Sequence, residues 1–413
     1  MSKLYDAIVV GLGGVGSFAL RSLARRHSYV LGLERFHIAH DLGSSHGATR
    51  LFRHAYFEHP SCVPLCLKST EIFQELSDWK RNRTENAIPL LETCGVLVVS
   101  DGGSDGNTYE VIERCSESAN IFGIPTQLLE TEDLRRAYGA CFSIPENENK
   151  LKGLLEPGAG FVRPELAIEY AIEDALDHGA EIQEGVSVEQ ILLEDNSTSP
   201  VYNVYTSDGA IHRTKGVIVS AGAWASKLLP ELQPYLTVTR QVQAWFELPD
   251  ADHLPPVGWF LDRVKDKLPF YGIPADPHHA EHPLRSKVAI HGRTERFDPD
   301  QWESGSDSGE PSRPKVTDKE LDELKDLVRD WIPGAVDGIV QAKSCMYTMT
   351  PDEHFIVDRK EGTSNIWYAA GLSGHGFKMT PALGQALADL VVNGVTEPPV
   401  DFLRRDRFKT KAN

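Results

Sequence analysis

The sequence predicts a mixed α/β (α+β) fold that combines a parallel sheet flanked by helices with a second, mixed and largely antiparallel β-sheet. Three observations support this prediction. A buried strand runs into a glycine-rich turn and a helix over residues 5–26, and hairpin-like pairs of strands follow over residues 186–206. A second glycine-rich turn, over residues 371–378, leads into another helix. At 413 residues the chain is long enough for two domains.

The N-terminal unit has the order strand, glycine-rich turn, helix and strand that binds dinucleotides in Rossmann-like domains. Its turn carries Gly11, Gly13, Gly14 and Gly16. The first permits a tight turn, the second lets the backbone approach a pyrophosphate, and the last lets the helix pack closely on the sheet. Glu34 ends the second strand, where its carboxylate can accept a hydrogen bond from a ribose hydroxyl. The unit predicts an ADP-containing dinucleotide rather than a merely structural turn, leaves FAD and NAD open, and argues against NADP.

The C-terminal unit has a similar arrangement. The strand 366–370 runs into the turn 371–378, and Thr380 is expected to cap the helix that follows. Between the two units, the buried strand 217–219 ends in the small residues 220–224, where the backbone can again meet a ligand. A ligand that touches both ends of the chain favours FAD over NAD, because the isoalloxazine of FAD is long and deeply enclosed.

The composition disfavours several classes of partner. The net charge is −18, from 42 basic and 60 acidic residues, which argues against nucleic acid and anionic membranes. No apolar run approaches the ~18 residues of a transmembrane helix. The first strand begins so early that we expect no signal peptide. The six cysteines follow no zinc-binding spacing, and we expect the first five to be reduced thiols in a cytoplasmic protein.

Three loop features have more than one interpretation. Arg50 and Arg53 follow the dinucleotide unit three residues apart, and on a helix they would share a face, either solvated or functional. Three histidines within residues 278–282 lie in a proline-rich segment, which we interpret as a solvated insertion and not as a metal site. Residues 298–314 are rich in serine, glycine, proline and acidic residues and are predicted to form a mobile surface loop.

Several motifs together resemble the monomeric sarcosine oxidase family of flavoenzymes, whose relatives include N-methyltryptophan, pipecolate and fructosyl amino acid oxidases. The resemblance runs almost from end to end. The motifs that carry it are Ser45-His46-Gly47 with Thr49-Arg50, Arg53-His54-Ala55-Tyr56, Ser220-Ala221-Gly222-Ala223-Trp224, Cys345-Met346-Tyr347-Thr348 and Gly374-His375-Gly376-Phe377-Lys378. The resemblance implies a monomer with FAD attached covalently through Cys345. A nearby cation would favour the thiolate that this attachment requires.

The resemblance also implies roles for individual residues. Arg53 and Lys378 match the pair that holds the substrate carboxylate, one as a bidentate guanidinium and the other as a point charge. Arg50 matches an arginine packed over the opposite flavin face. Lys287 matches a lysine thought to activate oxygen, with a surface lysine as an equal alternative. The other catalytic candidates are Tyr271, Tyr347 and His291. The candidates for FAD binding are Gly11, Gly13, Gly14, Gly16, Glu34, Ser45, His46, Arg50, Gly222, Trp224, Cys345, Gly374, Gly376, Phe377 and Lys378.

The activity that the resemblance implies is FAD-dependent oxidation of secondary (N-methyl) amino acids such as sarcosine. Two electrons pass to the flavin, the imine product hydrolyses to an aldehyde and an amine, and O2 is reduced to hydrogen peroxide. The alternatives are an oxidase of cyclic or glycated amino acids, a flavin dehydrogenase, and a non-catalytic flavoprotein or NAD sensor.

The expected architecture has two discontinuous domains, with the active site between them. The FAD-binding domain is expected to comprise residues 1–85, 151–225 and 336–413. The substrate-binding domain, with the mixed sheet, is expected to comprise residues 86–150 and 226–335.

Overall fold

The computed structural model describes residues 3–26, 29–102, 108–144, 150–194, 200–248, 253–262, 268–278, 285–301, 303–304, 311–332 and 334–411. Residues 279–282 of the histidine segment and 305–310 of the predicted surface loop lie outside the described residues. The helices are α1 Gly14–Ala24, α2 Cys62–Arg81, α3 Glu110–Phe122, α4 Thr131–Tyr138, α5 Pro164–Asp177, α6 Ala225–Leu228, α7 Asp318–Val328 and α8 Thr380–Asn393. The strands are β1 Leu4–Tyr5, β2 Ala7–Val10, β3 Val30–Leu33, β4 Arg50–Phe52, β5 Leu91–Thr93, β6 Val96–Ser100, β7 Gln127–Glu130, β8 Lys152–Glu156, β9 Gly160–Val162, β10 Glu181–Gln183, β11 Val188–Leu193, β12 Tyr202–Thr206, β13 Ile211–Thr214, β14 Val217–Val219, β15 Thr237–Phe246, β16 Gly258–Asp262, β17 Phe270–Ile273, β18 Ser286–Ile290, β19 Glu303–Ser304, β20 Pro311–Ser312, β21 Ile339–Met349, β22 Ile356–Arg359 and β23 Ile366–Ala370.

A six-stranded sheet confirms the predicted parallel sheet. Its order is β10-β3-β2-β14-β23-β22, and the neighbouring strands are parallel except for β22 and β23. All residues of β2 and β3 are buried, because helices α1 and α8 cover one face of the sheet. A four-stranded sheet of order β1-β13-β12-β11 packs on the other face. The carboxyl ends of β2, β3, β14 and β23 therefore meet at one edge.

Two glycines let the chain approach itself closely at this edge. Gly11 has a φ of +84°, and a Cβ on it would lie 2.7 Å from the carbonyl oxygen of Ser220. A Cβ on Gly16 would overlap the carbonyl oxygen of Gly11. Because neither residue has a side chain, α1 starts directly beyond β2, and the N–H groups of its first turn point into the space at the sheet edge.

An eight-stranded sheet confirms the predicted mixed, largely antiparallel sheet. Its order is β21-β15-β18-β17-β16-β6-β8-β7, in which β16 and β6 are parallel and the other neighbours antiparallel. The register and the alternation of side chains place Tyr271, Lys287, Cys345 and Tyr347 on one face. The other face is apolar and packs against α7. The strands thus separate a hydrophobic core from a face rich in polar groups.

The segment with the two arginines is not helical, because Arg50 begins a strand and Arg53 follows the end of that strand. Arg50–Phe52 forms β4, which pairs antiparallel with β9 in a three-stranded sheet of order β4-β9-β5. The two arginines therefore do not share a helical face. In the extended chain Arg50 contacts Cys345, whereas Arg53 contacts Glu58.

Three further predictions concern the helix after the second glycine turn, membrane-spanning segments and the domain boundaries. Thr380 is the first residue of α8 and not its cap, since its hydroxyl donates to the carbonyl oxygen of Phe377 at 2.8 Å. Within the described residues, no helix is both long and apolar enough to cross a membrane. The division into domains stays a prediction, and β8 and β21, from ranges assigned to the FAD-binding domain, pair within the eight-stranded sheet.

Candidate active site

A cavity of about 480 Å³ lies at the edge where the parallel strands end. This is the position at which open α/β sheets bind their ligands. The predicted cofactor-binding residues that line it are Gly11, Gly13, Gly14, Glu34, Ser45, Arg50, Gly222, Trp224, Gly374, Gly376 and Phe377. Gly16 lies beneath the cavity, at the contact of α1 with Gly11. His46, Cys345 and Lys378 lie outside this lining.

The wall of this cavity fits the pyrophosphate and ribose of a dinucleotide. The space beside Gly13 is open, since a Cβ there would lie 3.8 Å from Ser45 Oγ. The nearby N-terminus of α1 offers backbone N–H groups and the positive end of the helix dipole to an anion. The Glu34 carboxylate accepts from the N–H groups of Leu12 at 2.7 Å and Phe36 at 3.0 Å, and burial raises its pKa. Its remaining lone pairs can accept from ribose hydroxyls.

Cys345 lies beside a buried cation. It is a buried residue of β21, and Arg50 Nη2 is 3.9 Å from its Sγ. Arg50 is held in place because it also donates to the carbonyl oxygens of Thr49 at 3.0 Å and Ser44 at 3.1 Å. The structure thus places a fixed cation beside the cysteine that the resemblance predicts to carry the flavin.

Lys287 is buried, so the alternative of a surface lysine is wrong. Its side chain on β18 is 1% exposed and donates to the carbonyl oxygens of Gly47, at 3.0 Å, and Thr49. Burial, together with the nearby Arg50, lowers the pKa of Lys287 well below its ordinary value. Two carbonyl acceptors oppose this effect, because they bind the ammonium form better than the neutral amine.

His46 and Lys287 line a second cavity, of about 330 Å³. The ring of His46 is buried, with Nδ1 3.4 Å from Gln243 Nε2 and with Nε2 unpaired among the described residues. Burial and the surrounding cations lower the pKa of His46, so the ring is neutral. Glu165, on the same cavity wall, accepts from the N–H groups of Gly47 and Ala48. No cluster of side chains with the composition of a metal site occurs in the described ranges.

Arg53 and Lys378, which are far apart in sequence, lie close together in the fold. Each is 6% exposed, and both face the ring of Tyr56: the guanidinium carbon lies 4.8 Å and the ammonium nitrogen 5.2 Å from the ring centroid. Arg53 forms an ion pair with Glu58 at 3.1 Å. Lys378 donates to the carbonyl oxygen of His375 at 2.8 Å. Burial, reinforced by the charge of Arg53, lowers the pKa of Lys378 to about 8.

Glu58 is the main residue of this site that the sequence reasoning missed. Burial alone would raise its pKa, but Arg53, His375 and Lys378 outweigh this effect and hold the pKa at about 2. Glu58 is therefore an ionised carboxylate at every physiological pH, paired with Arg53 and 3.9 Å from His375 Nδ1. The only signal in the sequence was an acidic residue five positions after Arg53, which is too common a spacing to be informative.

Tyr56 and His375 support the same site, although the sequence suggested no role for either. The Tyr56 hydroxyl lies 2.5 Å from His375 Nδ1, and His375 Nε2 lies 2.9 Å from the carbonyl oxygen of Glu353. Burial lowers the pKa of His375 to about 4, so the ring is neutral and donates one of these two hydrogen bonds. This chain of contacts fixes the ring on which both cations rest.

Aromatic rings connect the cations to the predicted substrate-lining residues. The guanidinium of Arg53 lies 4.3 Å from the ring centroid of Phe57, which in turn lies 5.6 Å from that of Phe260. The ring centroid of His291 lies 5.8 Å from that of Phe260 and 5.8 Å from that of Tyr347. Burial lowers the pKa of His291 to about 4. The Tyr347 hydroxyl is hydrogen-bonded to that of Tyr271. The structure thus connects Arg53 to the predicted substrate-lining residues through one continuous row of rings, and Tyr347 at its end also lines the larger cavity.

Comparison with known proteins agrees with this geometry. The family described as FAD-dependent oxidoreductase (DAO) matches residues 6–390. Monomeric sarcosine oxidase from Streptomyces avermitilis is 32% identical, covering 97% of each chain. N-methyl-L-tryptophan oxidase from Yersinia pestis is 30% identical, covering 93% of this chain and 94% of the relative. Among solved structures, L-proline dehydrogenase from P. horikoshii superposes with a TM-score of 0.78 at 21% identity, covering 100% of this chain and 99% of that one.

The matches span nearly the whole chain, and the glycine turns that build the dinucleotide cavity lie inside the matched range. The chain therefore belongs to the FAD-dependent oxidoreductase family, among its flavin-dependent amine oxidases, and its cofactor is FAD.

Proposed function

We propose that this enzyme oxidises secondary, N-methyl-type amino acids such as sarcosine, with O2 as the electron acceptor and hydrogen peroxide as a product. The observation that carries the proposal is the pair of buried cations, Arg53 and Lys378, on the ring of Tyr56 beside the FAD cavity. Two such charges select an anion. The names of the relatives, sarcosine oxidase and N-methyl-L-tryptophan oxidase, support an N-methyl amino acid as that anion.

The charge balance of the site explains how a substrate carboxylate binds. Arg53 and Lys378 contribute two positive charges, and Glu58 contributes one negative charge. Lys378 has a backbone carbonyl and no carboxylate as its direct partner among the described residues. A substrate carboxylate would supply the missing negative charge, because a buried charge is stabilised only when it is paired. Arg53 can donate to it through N–H groups that do not contact Glu58.

The amine end of the substrate would face the aromatic wall. Tyr347 is buried there and Tyr271 and His291 are half-buried, and burial lowers the pKa of His291 to about 4, so its ring is neutral at physiological pH. The wall therefore adds no charge beside the amine, and its low polarity favours the neutral amine over the ammonium. Fixing the carboxylate at one end and the amine at the other orients the C–H bond that is broken.

FAD supplies the two-electron acceptor for this oxidation. The residues proposed to bind it are those that line the larger cavity, together with Gly16, His46 and Lys378. We propose Cys345, which lies beside the Arg50 guanidinium, as the point of covalent attachment. Lys287, whose ammonium would be held by two backbone carbonyls, is proposed to favour the reaction with O2 electrostatically. A monomeric, cytoplasmic enzyme is part of the same proposal.

Loss of the substrate carboxylate is expected to abolish efficient turnover. With sarcosine amide in place of sarcosine, kcat/KM for peroxide formation should fall about 30- to 1000-fold, which corresponds to the loss of one partner of a buried, hydrogen-bonded charge pair.

The variant Lys378→Met should lower kcat/KM for sarcosine within the same range. It should also reduce the ratio of kcat/KM for sarcosine to kcat/KM for sarcosine amide. Lys325→Met, on the surface of α7, is the matched control. Equal rates with acid and amide would contradict the proposal, and absence of peroxide during turnover would indicate a dehydrogenase.

Binding of a simple carboxylate is expected to weaken as the pH rises through about 8. The Lys378 ammonium attracts a carboxylate, and above its pKa of about 8 the side chain loses this charge. Butyrate, in which a methylene replaces the amine nitrogen of sarcosine, carries no titratable group in this range. Its Kd, measured from the flavin absorbance spectrum, should be constant below pH 7 and rise about tenfold per pH unit well above 8. The rise should be absent in Lys378→Met. A Kd that stays constant to pH 10 in the unmodified enzyme would rule out this role.

Covalent attachment predicts that the flavin stays with the denatured protein. Acid precipitation of the unmodified enzyme should give a yellow pellet, whereas Cys345→Ser should release its FAD into the supernatant. Cys94→Ser removes another thiol, one outside the described cavities, and should behave like the unmodified enzyme. Release of FAD from the unmodified enzyme would show that Cys345 does not carry it.

A further inference from the structure

A carboxylate from outside the parallel sheet organises one end of the FAD cavity. Arg35, Trp224 and Lys227 all line this cavity, and all three donate to Asp300. Arg35 Nη1 and Trp224 Nε1 lie 3.0 Å and 2.8 Å from Asp300 Oδ1, and Lys227 Nζ donates to Oδ2. Partial burial would raise the pKa of Asp300, but these three donors lower it to about 2. Asp300 is thus ionised and accepts from three cavity-wall side chains at once.

The location of these donors identifies the part of the cofactor that they face. Arg35 follows Glu34, the residue at the end of β3 that is placed to contact the ribose, and Trp224 follows the 220–223 turn beyond β14. The proposed attachment point Cys345 precedes the cavity-lining Met346 and Tyr347, so we place the flavin ring on that side of the cavity and the nucleotide on the side of Glu34. The three donors therefore belong to the adenosine and pyrophosphate end.

Asp300 reaches this end from the eight-stranded sheet. The chain just before it is attached to β15, through a bridge between Thr239 and Arg296 and a hydrogen bond of 2.9 Å from the Phe297 N–H to the carbonyl oxygen of Val238. The sequence predicted a mobile surface loop over residues 298–314. The described residues 298–301 instead lie against the cavity wall, through the contacts of Asp300 and those of the preceding residues 296–297.

Arg313 contacts both this segment and the cavity wall. Its guanidinium donates to the carbonyl oxygens of Pro299, at 2.8 Å, and Leu42, at 2.9 Å. The guanidinium carbon also lies 5.6 Å from the ring centroid of Trp224, while that of Arg35 lies 5.3 Å from the same ring. Trp224 is therefore fixed by two cations that contact its ring and by the carboxylate that accepts from its indole N–H.

We propose that Asp300 is a positioning residue for the nucleotide end of FAD, which orients Arg35, Trp224 and Lys227 on the cavity wall from a segment anchored on the eight-stranded sheet. Arg35 and Lys227, the two cations among its partners, would then be held on the cavity wall, where they can attract the negatively charged pyrophosphate. This role depends on FAD occupying the cavity and not on the identity of the amino-acid substrate, so its test is independent of the proposed activity.

Titration of apoprotein with FAD and with ADP tests this role. In a Cys345→Ser background, which prevents covalent attachment, Asp300→Asn should raise the Kd for both ligands about tenfold, equal to about 1.4 kcal/mol. ADP carries the nucleotide end alone, so it reports on that end without the flavin. The absorption spectrum of bound FAD and the Tm of the apoprotein should stay unchanged, which a general loss of structure would not allow.

Two further variants complete the experiment. Asp300→Glu keeps the charge on a longer side chain and should recover part of the affinity. Asp322→Asn makes the same chemical change on the surface of α7 and should bind both ligands like the parent. A Kd for ADP within twofold of the parent value in Asp300→Asn, or an equal loss in Asp322→Asn, would overturn the proposal. If the Asp300→Asn chain does not fold, Lys227→Met, which removes one of the donors that Asp300 orients, takes its place, and a Kd for ADP within twofold of the parent value would then overturn the proposal.

Discussion

The burial of two cations beside a single carboxylate is the constraint on which the candidate active site depends. Arg53 and Lys378 rest on one tyrosine ring, and Glu58 neutralises only one of them. A charge removed from water is costly unless it is paired, and the lowered pKa of Lys378 reflects this cost. A ligand carboxylate would remove the imbalance. The protein as a whole has a net charge of −18, so the excess of positive charge at this site is opposite in sign to the overall charge.

The two sheets create this constraint by their different geometries. The strands of the parallel sheet end in glycine turns, which leave an open cavity for a dinucleotide. Lys378 lies at the end of the last of these turns. The eight-stranded sheet has one apolar face that forms a core with α7, and its other face presents Tyr271, Lys287, Cys345 and Tyr347. Because side chains alternate along a strand, one set of strands supplies both a hydrophobic core and a reactive wall.

The features that the sequence predicted well are those with a local chemical reason. The glycine turns, the buried strands around them and Glu34 follow from the geometry of dinucleotide binding. Family resemblance related Arg53 to Lys378, a pair that no local pattern can connect, whereas the contact of Arg50 with Cys345 emerged only from the structure. Glu58 and Asp300 were missed, because each owes its role to partners that only the folded chain brings near. The strand at Arg50 was also unpredictable, since its partner β9 lies more than a hundred residues away.

A crystal structure of the holoenzyme with butyrate bound tests the central claim most directly. We expect the butyrate carboxylate between the Arg53 guanidinium and the Lys378 ammonium, within hydrogen-bond distance of both, and its hydrocarbon end against Tyr271, Tyr347 and His291. A carboxylate bound elsewhere, with Lys378 still paired only with the carbonyl oxygen of His375, would contradict the account.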